Sequence, residues 1–238
     1  MKKYALIFVL AIFVTACVEK QKVSTNVDYA TTYIGLNNEN TLILVPIETK
    51  QNELESESGV VMQNIEQHLR SKGWKIHTLK KEKYTQLWNK IINQLGGIYS
   101  STTGKLDSLK YQSAIAELIK SVNLSGNASG VIVPSLVLRQ AKLKGGSTAF
   151  WDGSSRKMIK NGKPTKYSKM SGTTKGLSLR ILVFNEKGHW AFTSFGGLVL
   201  PYESIVSGSR AVIKLRKNIF KNEEHVKAGV KIALSPIF

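Results

Sequence analysis

The sequence predicts an α/β fold, a single domain in which a mixed β-sheet is flanked by helices, with a long basic, glycine-rich loop or hairpin insertion. Three observations lead there. The continuous apolar run at 41–47 has the length and composition of a strand buried on both faces, and the apolar-rich stretches 131–138 and 177–184 read as further strands. Between them, apolar residues recur at steps of three and four, the period of amphipathic helices. The segment 139–176 interrupts this alternation with Gly145, Gly146, Gly153, Gly162, Gly172 and Gly176.

In chain order, the run 41–47 is the first strand, with Pro46 near its end, where a missing donor is tolerated. Val61, Ile65 and Leu69 follow at four-residue spacing as one helix face. Glu53, Glu55 and Glu57 suit its first turn, Arg70 and Lys72 its last, and Gly73 its left-handed cap. A strand at 74–79 completes a strand–helix–strand unit. Two helices come next. Tyr84, Leu87, Trp88, Ile91, Ile92 and Leu95 end at Gly96-Gly97; Tyr111, Ala114, Ile115, Leu118, Ile119 and Val122 start after Asp107 or Ser108 as cap. The strand 131–138 leads into the basic insertion. There Lys160-Asn161-Gly162-Lys163 suits a type I′ hairpin tip, because Asn-Gly accepts positive φ at both central positions. Strand 177–184 turns at Asn185-Glu186-Lys187-Gly188 and returns as 189–195. Gly196-Gly197 marks a bend or bulge before Leu198-Val199-Leu200. A last helix runs through 223–234 and stops before Pro236.

The amino end carries a separate signal. Met1-Lys2-Lys3 precedes ten apolar residues, too few for a transmembrane helix, and Val14-Thr15-Ala16 then leads to Cys17, the one cysteine of the chain. Residues 1–16 read as a lipoprotein signal peptide and Cys17 as the acylated first residue of the mature chain. Residues 17–40, polar and without sustained period, read as a flexible tether, and 41–238 as the α/β domain. Val18 after the cysteine favours the outer membrane, on its periplasmic side.

The chain is strongly basic, with 34 Lys and Arg against 16 Asp and Glu. Between Arg139 and Arg180 eleven basic residues stand against one acid, Asp152. Such a field suits anionic lipid, acidic polysaccharide or an acidic envelope partner; export to the envelope argues against nucleic acid. Arg139, Lys142, Lys144, Arg156, Lys157, Lys160, Lys163, Lys166 and Lys169, with Trp151 among them, are the candidate contact residues. The alternative is a solvated loop, with Trp151 tucked beneath it.

No catalytic set emerges. His68, His77, His189 and His225 are not at metal-ligand spacing, and Cys17 is committed to lipid. Residues 97–106 only superficially suggest a phosphate loop, since Tyr99 stands where that motif needs glycine and Leu106 where it needs serine or threonine. No enzyme activity, metal or cofactor is expected.

The lipobox, Val45-Pro46-Ile47, Gly96-Gly97-Ile98-Tyr99, Thr103-Gly104-Lys105, Trp151-Asp152-Gly153, Gly196-Gly197-Leu198 and Ala233-Leu234-Ser235-Pro236 together resemble a broad class of outer-membrane α/β lipoproteins. That class includes the curli-secretion channel lipoprotein and the N-terminal domain of the Tol-system propeller protein; the nearer likeness is to uncharacterised proteobacterial lipoproteins. The resemblance implies a binding or assembly role through self-association or an envelope partner, and Cys17 is the residue it carries over. A subunit of a ring-forming export complex and a cell-wall enzyme are the alternatives. A membrane pore is not expected, because 139–176 is too polar and glycine-broken for an alternating hairpin.

Overall fold

The computed structural model describes residues 27–30, 36, 39–47, 58–122, 128–159, 170–207 and 210–238. Ten strands, β1 (Val27–Tyr29), β2 (Thr41–Leu44), β3 (Lys75–Thr78), β4 (Ala128–Gly146), β5 (Thr148–Trp151), β6 (Ser154–Lys157), β7 (Met170–Asn185), β8 (Trp190–Val199), β9 (Tyr202–Ser207) and β10 (Arg210–Leu215), accompany four α-helices among these residues. The helices are α1 (Ser58–Ser71), α2 (Lys81–Gln94), α3 (Ser108–Val122) and α4 (Glu223–Leu234). The main sheet has the order β1-β8-β7-β4-β2-β3, and β5 and β6 extend it from β4. β2 is parallel to β3 and β4, and the other pairs are antiparallel, so the sheet is mixed. No described helix is long and apolar enough to cross a membrane.

Alternation along the central strands sends apolar side chains to both faces. Leu42, Leu44, Ile132, Leu179, Ile181, Val183 and Phe192 form one core with α1 and α4. Ile43, Val45, Val131, Val133 and Phe184 form the other with α2 and α3. The helices begin and end where local chemistry requires. Asp107 Oδ1 accepts from the N–H groups of Leu109 and Lys110, both at 3.1 Å, so Asp107 is the cap of α3. Gly73 has φ 86°, and the Trp74 N–H donates to Leu69 O at 3.2 Å, closing α1 in a Schellman motif with Trp74 buried. The carboxylates of Glu53, Glu55 and Glu57 lie before α1, outside the described residues.

Three expectations need correction. Strand 131–138 does not stop at Leu138: β4 runs on to Gly146 and pairs with β7 from Arg139↔Gly176 to Gly146↔Met170. The arms 139–143 and 172–176 pair in register, with a shift before Gly146↔Met170, so the expected loop or hairpin insertion takes the hairpin form. Pro134 is tolerated inside β4 because Ile132 turns its carbonyl toward Val45, and two residues on the same side β2 has ended. Within the expected tether, Val27–Tyr29 pairs with Ser194, Thr193 and Phe192 as the sheet edge. Finally, Tyr202–Ser207 and Arg210–Leu215, where no element is expected, pair as a separate two-stranded ribbon, β9–β10. The Asn161-Gly162 turn lies outside the described residues.

Gly196-Gly197 does mark a bulge, since Leu177 pairs with Val199 while Ser178 pairs with Gly197. It is also where α4 comes closest to the sheet. A Cβ on Gly196 would sit 1.9 Å from Gly229 O, and one on Gly229 would sit 2.6 Å from Gly197 O. Ser194 Oγ donates to Ala233 O farther along the same contact. Gly196→Ala should therefore push α4 off β8 and cost roughly 1–3 kcal/mol in thermal or urea unfolding. Gly59→Ala is the control: nothing lies within 4 Å of its Cβ position in α1, and alanine there should be neutral or stabilising by about 0.5–1 kcal/mol.

Candidate functional site

The insertion folds inward from a tight turn. Trp151 and Ser154 pair across Asp152 (φ 37°) and Gly153 (φ 75°), both left-handed, as a two-residue type I′ hairpin requires. The turn docks on β7 and β8. Asp152 Oδ2 receives the Ser178 hydroxyl at 2.7 Å and Arg139 Nε at 2.7 Å, while Gly197 N–H donates to Asp152 O at 3.0 Å. The Arg139 guanidinium also lies over the Phe195 ring at 3.9 Å.

Trp151 is 4% exposed. Its indole fills a bay floored by glycine: a Cβ on Gly176 would fall 2.4 Å from the ring, and one on Gly197 2.8 Å from it. Ala141, Leu143, Ala149, Met158 and Leu200 complete this third cluster. Its Nε1 has no hydrogen-bond partner. That omission costs about 1–3 kcal/mol, which the burial of so large a side chain offsets. Trp151 is thus a core residue of the insertion and offers no surface for a ligand, because the glycines opposite it leave room for the ring.

The same hairpin builds one wall of an open groove of about 980 Å³. The other walls are the feet of β9 and β10, the connection 216–222 and the first turn of α4. Arg156 and Arg216 hold these walls together. Arg156 donates to Leu198 O (3.1 Å), Gly197 O (3.4 Å), Ser155 O (2.8 Å) and, on α4, His225 O (3.0 Å). Burial lowers its pKa from the ordinary arginine value, yet a guanidinium remains charged at any physiological pH. Arg216 donates to Lys157 O (3.1 Å) and Tyr202 O (3.4 Å) and sits 4.0 Å from Glu203. Asn222 caps α4, its side chain accepting from the His225 N–H at 3.1 Å.

With the arginines engaged on carbonyls, the exposed Lys157, Lys214, Lys217 and Lys221 also line the groove. Six cations line it against Glu203, Glu223 and Glu224. Glu224 and Glu223 are drawn toward Lys227 on their own helix, at 3.1 and 4.0 Å, and Glu203 is buried. The field over the groove is therefore positive. Burial first, then Arg156 and Arg216, lower the pKa of His225, so it stands neutral at the rim near pH 7. Among the described residues no group of three His, Cys, Asp or Glu side chains is arranged to hold a metal. The groove is equipped to hold an anionic group by charge and hydrogen bonding.

Of the candidate contacts, Arg139, Trp151 and Arg156 are structural ties and Lys157 is on the groove. Lys142 is exposed on β4, and Lys144 is placed by its backbone alone. Lys160, Lys163, Lys166, Lys169 and Cys17 lie outside the described residues. Lys214, Arg216, Lys217 and Lys221 were not singled out by sequence. Their signal was present in the Lys214-Leu215-Arg216-Lys217 run that follows an apolar strand pattern.

Asp152→Ala should leave the Arg139 guanidinium half-buried without its carboxylate and cost about 3 kcal/mol of stability, read by urea unfolding. His225 contributes a pH dependence of definite sign. Its folded pKa is depressed, so the unfolded chain binds the extra proton first and stability falls as pH drops below about 6.5. His68 adds to the same trend, lowered by burial, then by Lys72 and Lys231. In unfolding measured from pH 7.5 to 5, His225→Gln should show a shallower loss than the unaltered protein.

No family model matches the chain, and no curated protein matches it in sequence. Among solved structures, it is similar to a PelC dodecamer from Paraburkholderia phytofirmans, with 9% identity and a TM-score of 0.38, covering 90% of this chain and 98% of that one. A likeness at that distance assigns neither family nor function.

Proposed function

We propose that the chain is a lipid-anchored envelope component that binds rather than catalyses. Acyl groups on Cys17 hold it at the periplasmic face of the outer membrane, and the groove between β6, the β9–β10 ribbon and α4 receives an anionic ligand. The observation that carries this reading is the division of labour among the groove cations. Arg156 and Arg216 are consumed in holding the walls, and four lysines on three different elements converge with their charges free to act on a ligand. Lysine is a flexible point charge, suited to following a polyanion and less suited to the fixed fork geometry at which arginine excels. The groove is open and shallow-sided, which suits an extended chain or a headgroup layer better than a small substrate that must be sequestered from water.

The test is retention of the full chain, in detergent, on an immobilised sulfated polysaccharide. Reversing Lys157, Lys214, Lys217 and Lys221 to Glu should weaken binding about tenfold or more at low salt. The difference should shrink as ionic strength rises. Reversing the exposed Lys81, Lys83, Lys90 and Lys105, on the α2–α3 side, changes net charge equally and should leave most of the binding in place. Equal losses from the two sets would reduce the groove to a share of a general surface charge and defeat the proposal.

A further inference from the structure

Strand direction orients the whole molecule relative to its anchor. β1 is antiparallel to β8, with Val27 opposite Ser194 and Tyr29 opposite Phe192. The amino end of β1 therefore points toward the carboxyl end of β8, where the chain passes through Leu200 and Pro201 into the ribbon. The same end of the sheet holds the β4–β7 extension, since Leu177 lies opposite both Leu138 and Val199. α4 also begins there: Arg156 reaches His225 O, while Ser194 reaches Ala233 O one helix length away. Cys17 is ten residues before Val27, so the acyl group lies at most about 35 Å of chain from the sheet. Ser194 to Val199 takes up about 17 Å of that at strand rise.

The ribbon at this end is unusual in exposing apolar side chains on both of its faces. Val212 and Ile213 are neighbours on one strand and so point oppositely, yet are 50% and 57% exposed; Leu215 is 60% and Tyr202 37% exposed. Lys214, Arg216 and Lys217 are interleaved with them. Exposed apolar side chains along the ribbon, with an aromatic and interleaved cations, match the interface of an anionic bilayer, where apolar groups enter the acyl boundary and cations rest among phosphates. A second copy of this chain is the poorer occupant. It would bring the same cations face to face in a protein of net charge +18. Six-residue strands are also too short to span a bilayer, which needs about 9–11.

We infer that the β9–β10 ribbon is a membrane-docking element: it dips into the headgroup layer of anionic lipid, with the lysine groove held against the phosphates. This rests on the reading of Cys17 as the acylated anchor, and it names the ligand of the groove as anionic lipid headgroups. The ribbon works as a second attachment, which turns a tethered domain into an oriented one. One acyl anchor and one weak surface contact reinforce each other through high local concentration.

The test uses the acylated full chain in vesicles of phosphatidylethanolamine and phosphatidylglycerol. With Cys17 blocked by acylation, Ile213→Cys and, as control, Leu109→Cys each give one thiol for an environment-sensitive fluorophore; Leu109 is 74% exposed in the first turn of α3. The probe at 213 should shift to shorter wavelength and lose fluorescence to lipids brominated near the headgroup, as a group buried about 5–10 Å in the interface does. The probe at 109 should do neither. Adding Lys214→Glu and Lys217→Glu to the labelled Ile213→Cys chain should abolish the shift. Vesicle-bound protein with an unquenched probe at 213 would overturn the ribbon inference while leaving the anchor intact. A wavelength shift without lipid quenching would assign the ribbon to another copy of the chain and overturn it too. Protein shown by mass to lack acyl groups, and not floating with vesicles, would overturn the anchor reading and this inference together.

Discussion

Two adjacent glycines bear on every layer of this molecule. Successive residues of a strand face opposite sides of the sheet, and Gly196 and Gly197 are bare on both. On one side α4 lies so close that a Cβ on Gly196 would overlap the backbone of Gly229; on the other, the Trp151 ring and Ser154 occupy the space a Cβ on Gly197 would need. The backbone of Gly197 is bonded as well. Its N–H meets Asp152 O, and its carbonyl receives Ser154 Oγ at 2.6 Å and Arg156. A helix and a hairpin that share no sequence neighbourhood are thereby clamped through one point of β8. The groove exists because that clamp brings β6 and the start of α4 within reach of a single arginine.

The clamp also explains which cations are structural. A guanidinium can serve several carbonyls at once with its fixed donors, and its weak hydration makes partial burial tolerable. Arg156 does this across β6, β8 and α4, and Arg216 across β6 and β9. Arg139 instead neutralises the one acid of the basic segment, Asp152, which is buried and would be costly alone. The lysines have no such duties and stay at the rim. Around the insertion and the groove, the positive charge is therefore three engaged arginines beside exposed lysines.

How much of this was legible depends on how local each signal is. The helices were readable because Val61, Ile65, Leu69 and their counterparts in α2 and α3 repeat within a few turns, and Gly73 and Asp107 mark ends by chemistry that needs no partner elsewhere. The central strands were readable as apolar-rich stretches at 41–47, 131–138 and 177–184. Arms such as Arg139–Leu143 and Gly172–Gly176 alternate weakly and carry glycine; only their pairing with each other makes them strands. Trp151 could not be placed from its neighbours, since its room is made by Gly176 and Gly197, far downstream. The groove was invisible for the same reason: its walls come from three separated segments, 156–157, 199–203 and 214–225. The ribbon was missed because Ile205-Val206 and Ala211-Val212-Ile213 are short, though Ser207-Gly208-Ser209 between them is a turn signal.

The short edge strand β1 has consequences beyond its size. A tether that ran unpaired from Cys17 to Thr41 would span up to about 80 Å and would leave the domain free to present any face to the membrane. In the proposed anchoring through Cys17, the three paired residues at Val27–Tyr29 leave ten residues of chain as the leash and set the edge of the sheet at which it arrives. The charged and apolar surfaces at the carboxyl end of β8 then share one side with that proposed anchor, while α2, α3 and the Asn185–Gly188 turn cover other sides. For a peripheral protein this matters more than affinity, because a weak surface contact becomes effective only when the tether presents it at the right place and height. In that proposal, where the first strand pairs is as much a part of the binding apparatus as the lysines themselves.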